Sequence, residues 1–236
     1  MNPEAMARLA GLLADRTRAS FCLALLDGRA WTAGELARQA GVAVSTASSH
    51  LDRLVAGGLL AEQRQGRHRY LRLAGPDAAR LVEDLSSHLP PRPAPVRSLR
   101  VANRDAALAR GRTCYDHLAG RLGVLLLEAM TARDLVVRDT GLALTDLGLE
   151  WLAELGVDLA ALRSGRRPMT RDCLDWTERR PHLAGAAGAA VCRRFFDAGW
   201  IERSHGGRAV RLTPAGRRGL RASLGVTEQQ LEPAVA

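Results

Sequence analysis

The chain contains no lysine: all 34 basic residues are arginine, and they outweigh 25 acidic residues to leave a net charge of +9. That excess favours a polyanionic partner, although solvated arginine faces give a high isoelectric point on any protein. Also lacking is any apolar run near the roughly 18 residues of a membrane span. The longest candidate, Gly123 to Leu127, stops at Glu128. The opening Met1-Asn2-Pro3-Glu4 has no basic segment followed by an apolar one, so no secretory leader is expected and the chain is placed in the cytoplasm. Its four cysteines, Cys22, Cys114, Cys173 and Cys192, include no C-x-x-C pair. That spacing excludes a zinc ribbon, and in a reducing compartment it argues against a disulfide framework. A phosphate loop, a Gly-x-Ser-x-Gly elbow and a metalloprotease helix are missing as well, which leaves an enzyme few starting points.

What is present is the composition of a globular protein, 47% hydrophobic and 25% charged, in a chain of 236 residues that allows two domains with separate cores. Leu89-Pro90-Pro91-Arg92-Pro93-Ala94-Pro95 places four prolines in seven residues, a stiff extended stretch that no helix crosses. The expected division is therefore a first domain at 1–88, a linker at 89–97, a second domain at 98–226 and a tail at 227–236. The charge excess sits around the linker: residues 91–112 hold six arginines (Arg92, Arg97, Arg100, Arg104, Arg110, Arg112) against Asp105. Arg97, Arg100, Arg104, Arg110 and Arg112 either extend a phosphate-binding footprint or form a solvated face.

Before the linker, Leu9, Leu12 and Leu13, then Phe21, Leu23, Leu25 and Leu26, predict two amphipathic helices divided near Asp15 to Thr17. Thr32-Ala33-Gly34-Glu35 is a capping-box sequence that opens a short helix to Ala40. Gly41 breaks it. Val44 to Ala56 resumes a helix with Val44, Ala47, Leu51 and Leu54 on one stripe, and Gly57-Gly58 ends that. Leu59 to Arg64, a turn at Gln65-Gly66, and Arg67 to Leu73 predict a β-hairpin, and Gly75-Pro76-Asp77 opens a closing helix. This order is that of a winged helix-turn-helix. The expected fold class is mainly α with small β-hairpins (α+β).

The second half repeats itself. Leu135 to Arg138, then Gly141-Leu142-Ala143-Leu144-Thr145-Asp146-Leu147-Gly148, then Trp151 to Val157, runs parallel to Trp200 to Arg203, Ala209-Val210-Arg211-Leu212-Thr213-Pro214-Ala215-Gly216, and Leu220 to Val226. Thr145 and Thr213 are suited to cap the helices that follow. Two winged-helix-like units are expected here, the plainer alternative being two unrelated pieces with common capping chemistry.

A recognition helix buries one face and presents hydrogen-bonding side chains on the other. With Ala47, Leu51 and Leu54 inward, Ser45, Ser49, Arg53 and Ala56 point outward, flanked by Thr46, Ser48, His50 and Asp52. The hairpin adds Arg64, Arg67, His68, Arg69 and Arg72, a basic wing suited to a phosphate backbone.

Glu35-Leu36-Ala37, Gly41-Val42, Ser45-Thr46-Ala47-Ser48-Ser49-His50-Leu51, Leu54, Gly57-Gly58-Leu59-Leu60 and Gly66-Arg67-His68-Arg69-Tyr70-Leu71-Arg72-Leu73 resemble the ArsR-type (arsenic-repressor-like) winged-helix regulators over roughly residues 5–88. The resemblance implies a homodimer on an inverted-repeat operator in double-stranded DNA, usually a repressor released by an effector. It would place Ser45, Thr46, Ser48, Ser49 and His50 at or beside the DNA, with Arg67 and Arg69 from the wing. Two positions depart from the family: Ala43 stands where a capping Ser is frequent, and Ser49 where Arg is frequent.

The family's metal positions are not matched: Glu35 to Ala40 contains no cysteine, and the last helix of the first domain offers Asp77 and His88 without paired ligand spacing. Better effector candidates are Cys114-Tyr115-Asp116-His117, and Cys173-Leu174-Asp175-Trp176-Thr177-Glu178 leading to His182. Cys114, His117, Cys173 and His182 would suit a soft or borderline metal ion, or a low-pKa thiol sensor. Cys114 with His117, and Cys173 with Trp176, also read as packing pairs one helical turn apart, so the cofactor is a metal ion or none. Cys22 and Cys192 lie in apolar strings and read as core. Two other functions remain open: a protein-interaction module, and a Cys/His-dependent enzyme.

Overall fold

A computed structural model describes residues 2–66, 68–89, 99–139, 141–204 and 207–231. The chain forms two compact units, Met1–Leu85 and Ser86–Ala236. Most of the proline-rich linker expected at 89–97 lies outside the described residues, as do Arg67, Arg97 and the end of the expected tail.

The N-terminal unit follows the order read from the sequence: α1 (Pro3–Leu13), α2 (Arg16–Leu25), β1 (Trp31–Thr32), α3 (Ala33–Ala40), α4 (Val44–Ala56), β2 (Leu60–Gln65), β3 (His68–Leu73) and α5 (Pro76–Ser87). Local chemistry sets the boundaries. Asn2 and Asp15 accept the Ala5 and Arg18 amides to cap α1 and α2, and Thr32 and Glu35 form the full capping box of α3. Gly41 ends α3 in the left-handed region at φ 72°, where a side chain is strained. At the start of α4, Ala43 makes no side-chain cap, so the departure seen in the sequence is structurally real. The two-residue strand β1 was not foreseen, being too short to show a period. It pairs antiparallel with β3, Trp31 opposite Leu71, giving a sheet of order β1-β3-β2. Phe21, Cys22, Leu25, Leu36, Leu51, Leu54 and Leu71 are wholly buried in this unit's core.

The C-terminal unit is α6 (Leu99–Arg110), β4 (Arg112–Cys114), β5 (His117–Ala119), α7 (Gly120–Ala132), β6 (Val136–Val137), β7 (Ala143–Leu144), α8 (Asp146–Glu154), α9 (Leu159–Ser164), β8 (Arg171–Leu174), β9 (Pro181–Ala184), α10 (Gly185–Asp197), β10 (Ile201–Arg203), β11 (Val210–Leu212), α11 (Pro214–Leu224) and α12 (Glu228–Leu231). The repeat is longer than the one visible in the sequence pattern. Each copy is hairpin, helix, hairpin, helix: β4–β5, α7, β6–β7, α8, then β8–β9, α10, β10–β11, α11. The copies interlock, since α7 packs against β9 and α10 packs against β5. Neither copy covers its own apolar face; each is completed by the other. The apolar run Gly123 to Leu127 belongs to α7, which is buried on nearly every side, as a helix apolar all round must be.

The Leu-Thr-x-x-Gly strings have a common job. Thr145 and Thr213 accept the Gly148 and Gly216 amides, each at 3.0 Å, and donate to the Asp134 and Gly199 carbonyls at 2.6 and 2.7 Å. Any Cβ at Gly148 or Gly216 would collide with the Leu135 or Trp200 carbonyl oxygen.

Candidate functional site

Two sets of chemistry-bearing residues stand out, one in each unit. In the N-terminal unit, α4 buries Ala47, Leu51 and Leu54 and exposes Val44, Ser45, Thr46, Ser49 and Arg53. The outward line drawn from helical periodicity is therefore the exposed one. Ser48 and His50, beside that line, are half-buried. Ser48 donates to the Val44 carbonyl at 3.0 Å. His50 turns toward α2, its Nδ1 3.4 Å from Arg18 Nη1 and 3.5 Å from Asp15 Oδ1. Being next to Leu51, it follows the buried stripe inward and holds α4 on α2.

The wing is β2 and β3. Arg64 and His68 are exposed on it. Arg69 is half-buried and committed within the unit: it donates to Glu62 Oε2 at 2.7 Å and to Asp52 Oδ1 at 2.6 Å. This accounts for the acid Asp52 on the exposed side of α4. Its charge is neutralised by the wing, and the ion pair fixes the wing against the recognition helix.

In the C-terminal unit, Cys114, His117, Cys173 and His182 come together from two distant segments, with one ligand atom from each and all within 4.8 Å of one another. The sequence expectation of pairs one helical turn apart is corrected here. Cys114 and His117 face each other across the β4–β5 ladder, and Cys173 and His182 across β8–β9. The turn Tyr115-Asp116, with Tyr115 at φ 60°, folds the first pair back on itself. The two hairpins meet so that the sulfurs of Cys114 and Cys173 are 4.0 Å apart and the Nε2 atoms of His117 and His182 are 3.2 Å apart.

Carboxylates stand behind both imidazoles. Asp116 Oδ1 is 3.4 Å from His117 Nδ1, and Arg167 donates to the same carboxylate. Asp175 Oδ2 is 3.4 Å from His182 Nδ1. Asp175 is wholly buried, and its oxygens accept from Arg112 Nη2 at 2.9 Å, the Gly120 amide at 2.6 Å, and the Thr177 and Glu178 amides at 2.9 and 3.0 Å. Arg112 lies over the Trp176 ring at 4.7 Å and is 1% exposed. An arginine counted among phosphate-reaching candidates in the linker region is thus an internal strut.

These contacts set the protonation states. Burial pushes the Asp175 carboxyl up, but Arg112, Thr177 and the surrounding amides outweigh it and hold it down at about 2. Burial also raises Asp116, and His117 and Arg167 bring it down to about 2. Burial lowers His117, yet hydrogen bonds to Asp116 and Cys173 carry it above its ordinary value. The Cys173 thiol is drawn far below its usual range by Cys114, against burial, with His117 and His182 adding to the effect. Cys22 and Cys192, by contrast, are pushed up by burial to about 11 and about 12, as expected for core thiols.

The signal that would have located this centre is a second repeat in the sequence. His117-Leu118-Ala119-Gly120-Arg121-Leu122-Gly123 is matched by His182-Leu183-Ala184-Gly185-Ala186-Ala187-Gly188. Its last glycines have a reciprocal role. A Cβ on Gly123 would collide with the Leu118 carbonyl oxygen and press on His182, and one on Gly188 would collide with the Leu183 carbonyl oxygen and press on His117.

Comparison with known proteins agrees with the N-terminal geometry and extends beyond it. Residues 13–63 match the family model described as a helix-turn-helix domain. The HTH-type transcriptional regulator YdfF of Bacillus subtilis (strain 168), itself uncharacterized, is 40% identical over 218 residues, 92% of this chain and 95% of its own length. The chain belongs to the HTH-type transcriptional regulators. The helix-turn-helix reading of the regulator's N-terminal residues is borne out. Over 85 residues, 36% of the regulator, it is 39% identical to the HTH-type transcriptional regulator CmtR of Mycobacterium tuberculosis, covering 71% of that protein. Among solved structures, it is similar to the homodimeric winged helix-turn-helix DNA-binding domain of Mb0332 from Mycobacterium bovis, a possible ArsR-family regulator. The identity is 33%, the TM-score 0.34, and the coverage 37% of the regulator and 83% of that chain. The cadmium sensor CMTR from Mycobacterium tuberculosis gives 33% identity and a TM-score of 0.31, over 40% and 99% of the two chains. Among the regulator's described residues, no helix is long and apolar enough to cross a membrane.

Proposed function

We propose that this regulator is a homodimeric repressor in the cytoplasm, reading an inverted-repeat operator in double-stranded DNA with α4 and the β2–β3 wing, and released by an effector acting on the C-terminal unit. The observation that carries the reading is the exposed line Ser45, Thr46, Ser49 and Arg53 on a helix whose opposite face is wholly buried, with the wing pinned to that helix through Arg69 and Asp52. Serine, threonine and arginine donate to phosphates and base edges, and a helix so presented fits a major groove. Ser48 assists at the edge of the line, His50 positions the helix, and Arg64, Arg67 and His68 supply the wing's contacts to the backbone.

Dimerisation is supported by apolar side chains left in solvent on the helices that flank the winged fold. α1 buries none of its residues, and Met6, Leu9 and Leu85 are exposed at 72%, 37% and 48%. A second copy would cover them. The domain assignment proposed is DNA binding at 1–88, a linker at 89–97, dimerisation or effector response at 98–226 and a tail at 227–236. We assign no enzymatic activity: the thiols and imidazoles of the C-terminal unit face one another.

Fluorescence anisotropy of the full chain on its own upstream DNA, across a salt series, tests the reading. Sequence-selective binding that falls about tenfold or more in Arg53→Ala and Ser49→Ala is expected, the usual worth of a base contact being about 1–3 kcal/mol. Equal affinity for random DNA at every salt concentration would overturn it.

A further inference from the structure

We propose that Cys114 Sγ, His117 Nε2, Cys173 Sγ and His182 Nε2 bind one zinc-class divalent cation that joins the two repeats of the C-terminal unit. The proposal stands on the geometry of this centre and needs no part of the DNA reading.

The donor set is the first argument. Two thiolates and two imidazoles are the ligands of a closed tetrahedral zinc site, and soft or borderline ions prefer them to hard ones. The spacing is the second. With bonds of about 2.3 Å to sulfur and about 2.0 to 2.1 Å to nitrogen, a tetrahedron has edges of about 3.8 Å between sulfurs and about 3.3 Å between nitrogens. The observed edges are 4.0 Å for Cys114 to Cys173 and 3.2 Å for His117 to His182. A disulfide needs about 2.05 Å, so the sulfurs sit at a shared-ligand distance and not at a bonding one.

The third argument lies behind the ligands. A carboxylate stands behind each imidazole: Asp116 Oδ1 is hydrogen-bonded to His117 Nδ1 at 3.4 Å, and Asp175 Oδ2 lies 3.4 Å from His182 Nδ1, which makes no hydrogen bond among the described residues; carboxylates so placed are the outer-shell groups that orient a metal-binding histidine. The two Nε2 atoms face each other across 3.2 Å, close to the separation of two nitrogens on one tetrahedral ion. A cation bound by both nitrogens fits that approach. Two thiolates also balance the dication, so the buried centre carries no net charge.

The placement gives the cation its role. Each repeat supplies one cysteine and one histidine as a cross-strand pair, and neither pair alone completes four ligands. Four protein ligands leave no open position for a substrate, so the ion holds the interlocked hairpins together.

The test titrates reduced, metal-stripped full-length protein with Co²⁺ and then with Zn²⁺. Expected are saturation at one equivalent, the intense visible bands of tetrahedral cobalt with a thiolate charge-transfer band, displacement by Zn²⁺, and a rise in Tm on loading. Cys114→Ser and Cys173→Ser each lose the charge-transfer intensity and the stoichiometry, while Cys192→Ala, a core thiol, keeps both. Asp116→Asn weakens uptake about 10- to 100-fold with the spectrum retained. Should a ligand variant not fold, the wild-type stoichiometry and spectrum decide by themselves. Less than half an equivalent of cobalt on reduced wild type, weak octahedral bands, or equal uptake in Cys114→Ser and Cys173→Ser would overturn the proposal.

Discussion

The two units carry their chemistry in opposite ways. The N-terminal unit buries apolar side chains and turns hydroxyls and a guanidinium outward along α4, so Ser45, Thr46, Ser49 and Arg53 on that face hold up nothing beneath them. The C-terminal unit turns thiols, imidazoles, Asp175 and Arg112 inward, where they are part of what keeps its two repeats together. The difference teaches where substitution is harmful. On the outer face it leaves the fold in place, and in the inner centre it costs the fold.

The sharpest way to break that contrast is Asp175→Ala. It leaves the Arg112 charge buried with its carboxylate gone, and removal of one partner of such a pair costs about 3–5 kcal/mol. Urea unfolding should show the loss in the C-terminal unit alone, with the N-terminal transition unmoved; an unchanged curve would mean that water reaches Arg112. Next in size is Leu51→Ala, which removes a wholly buried side chain beneath the reading face. About 2–5 kcal/mol should be lost from the N-terminal unit, with cobalt uptake by the C-terminal unit unaffected. A change in both would show that the units do not stand separately.

Thr32→Ala opens the capping box of α3 and should cost about 1 kcal/mol, measurable as a small drop in the N-terminal midpoint. The mildest test perturbs no fold. Because burial raises the Cys22 and Cys192 thiols to about 11 and about 12, both stay protonated at pH 8 and should resist iodoacetamide until denaturant is added. Cys173, half-buried and drawn toward its thiolate, should react in the metal-stripped protein. Mass spectrometry reads the four sites individually, and rapid labelling of Cys192 would contradict its place in the core.

Much of the N-terminal unit was legible because its signals are local. The helix stripe of Ala47, Leu51 and Leu54, the capping box at Thr32 and Glu35, and the glycines that stop α3 and α4 each act within a few residues of themselves. What escaped was the strand β1, paired to β3 across about forty residues of chain, and the inward turn of His50, which depends on Arg18 and Asp15 of another helix. In the C-terminal unit, the Leu-Thr-x-x-Gly half of the repeat was visible through its capping chemistry. The His-Leu-Ala-Gly half opens α7 and α10 without a side-chain cap, so no local signal marks the hairpins that carry the cysteines and histidines.

The sequence by itself determined the helix-turn-helix and its wing, the outward face of α4, and which four residues were chemically fit for a soft metal, since period, capping and ligand type are properties of short strings. Only the tertiary structure decided that those four meet. Cys114 with His117 and Cys173 with His182 are each a cross-strand pair, but the approach of one pair to the other depends on α7 and α10 exchanging places over the two hairpins. That exchange follows from burial of apolar faces that neither repeat can cover alone, a long-range balance that no local pattern encodes.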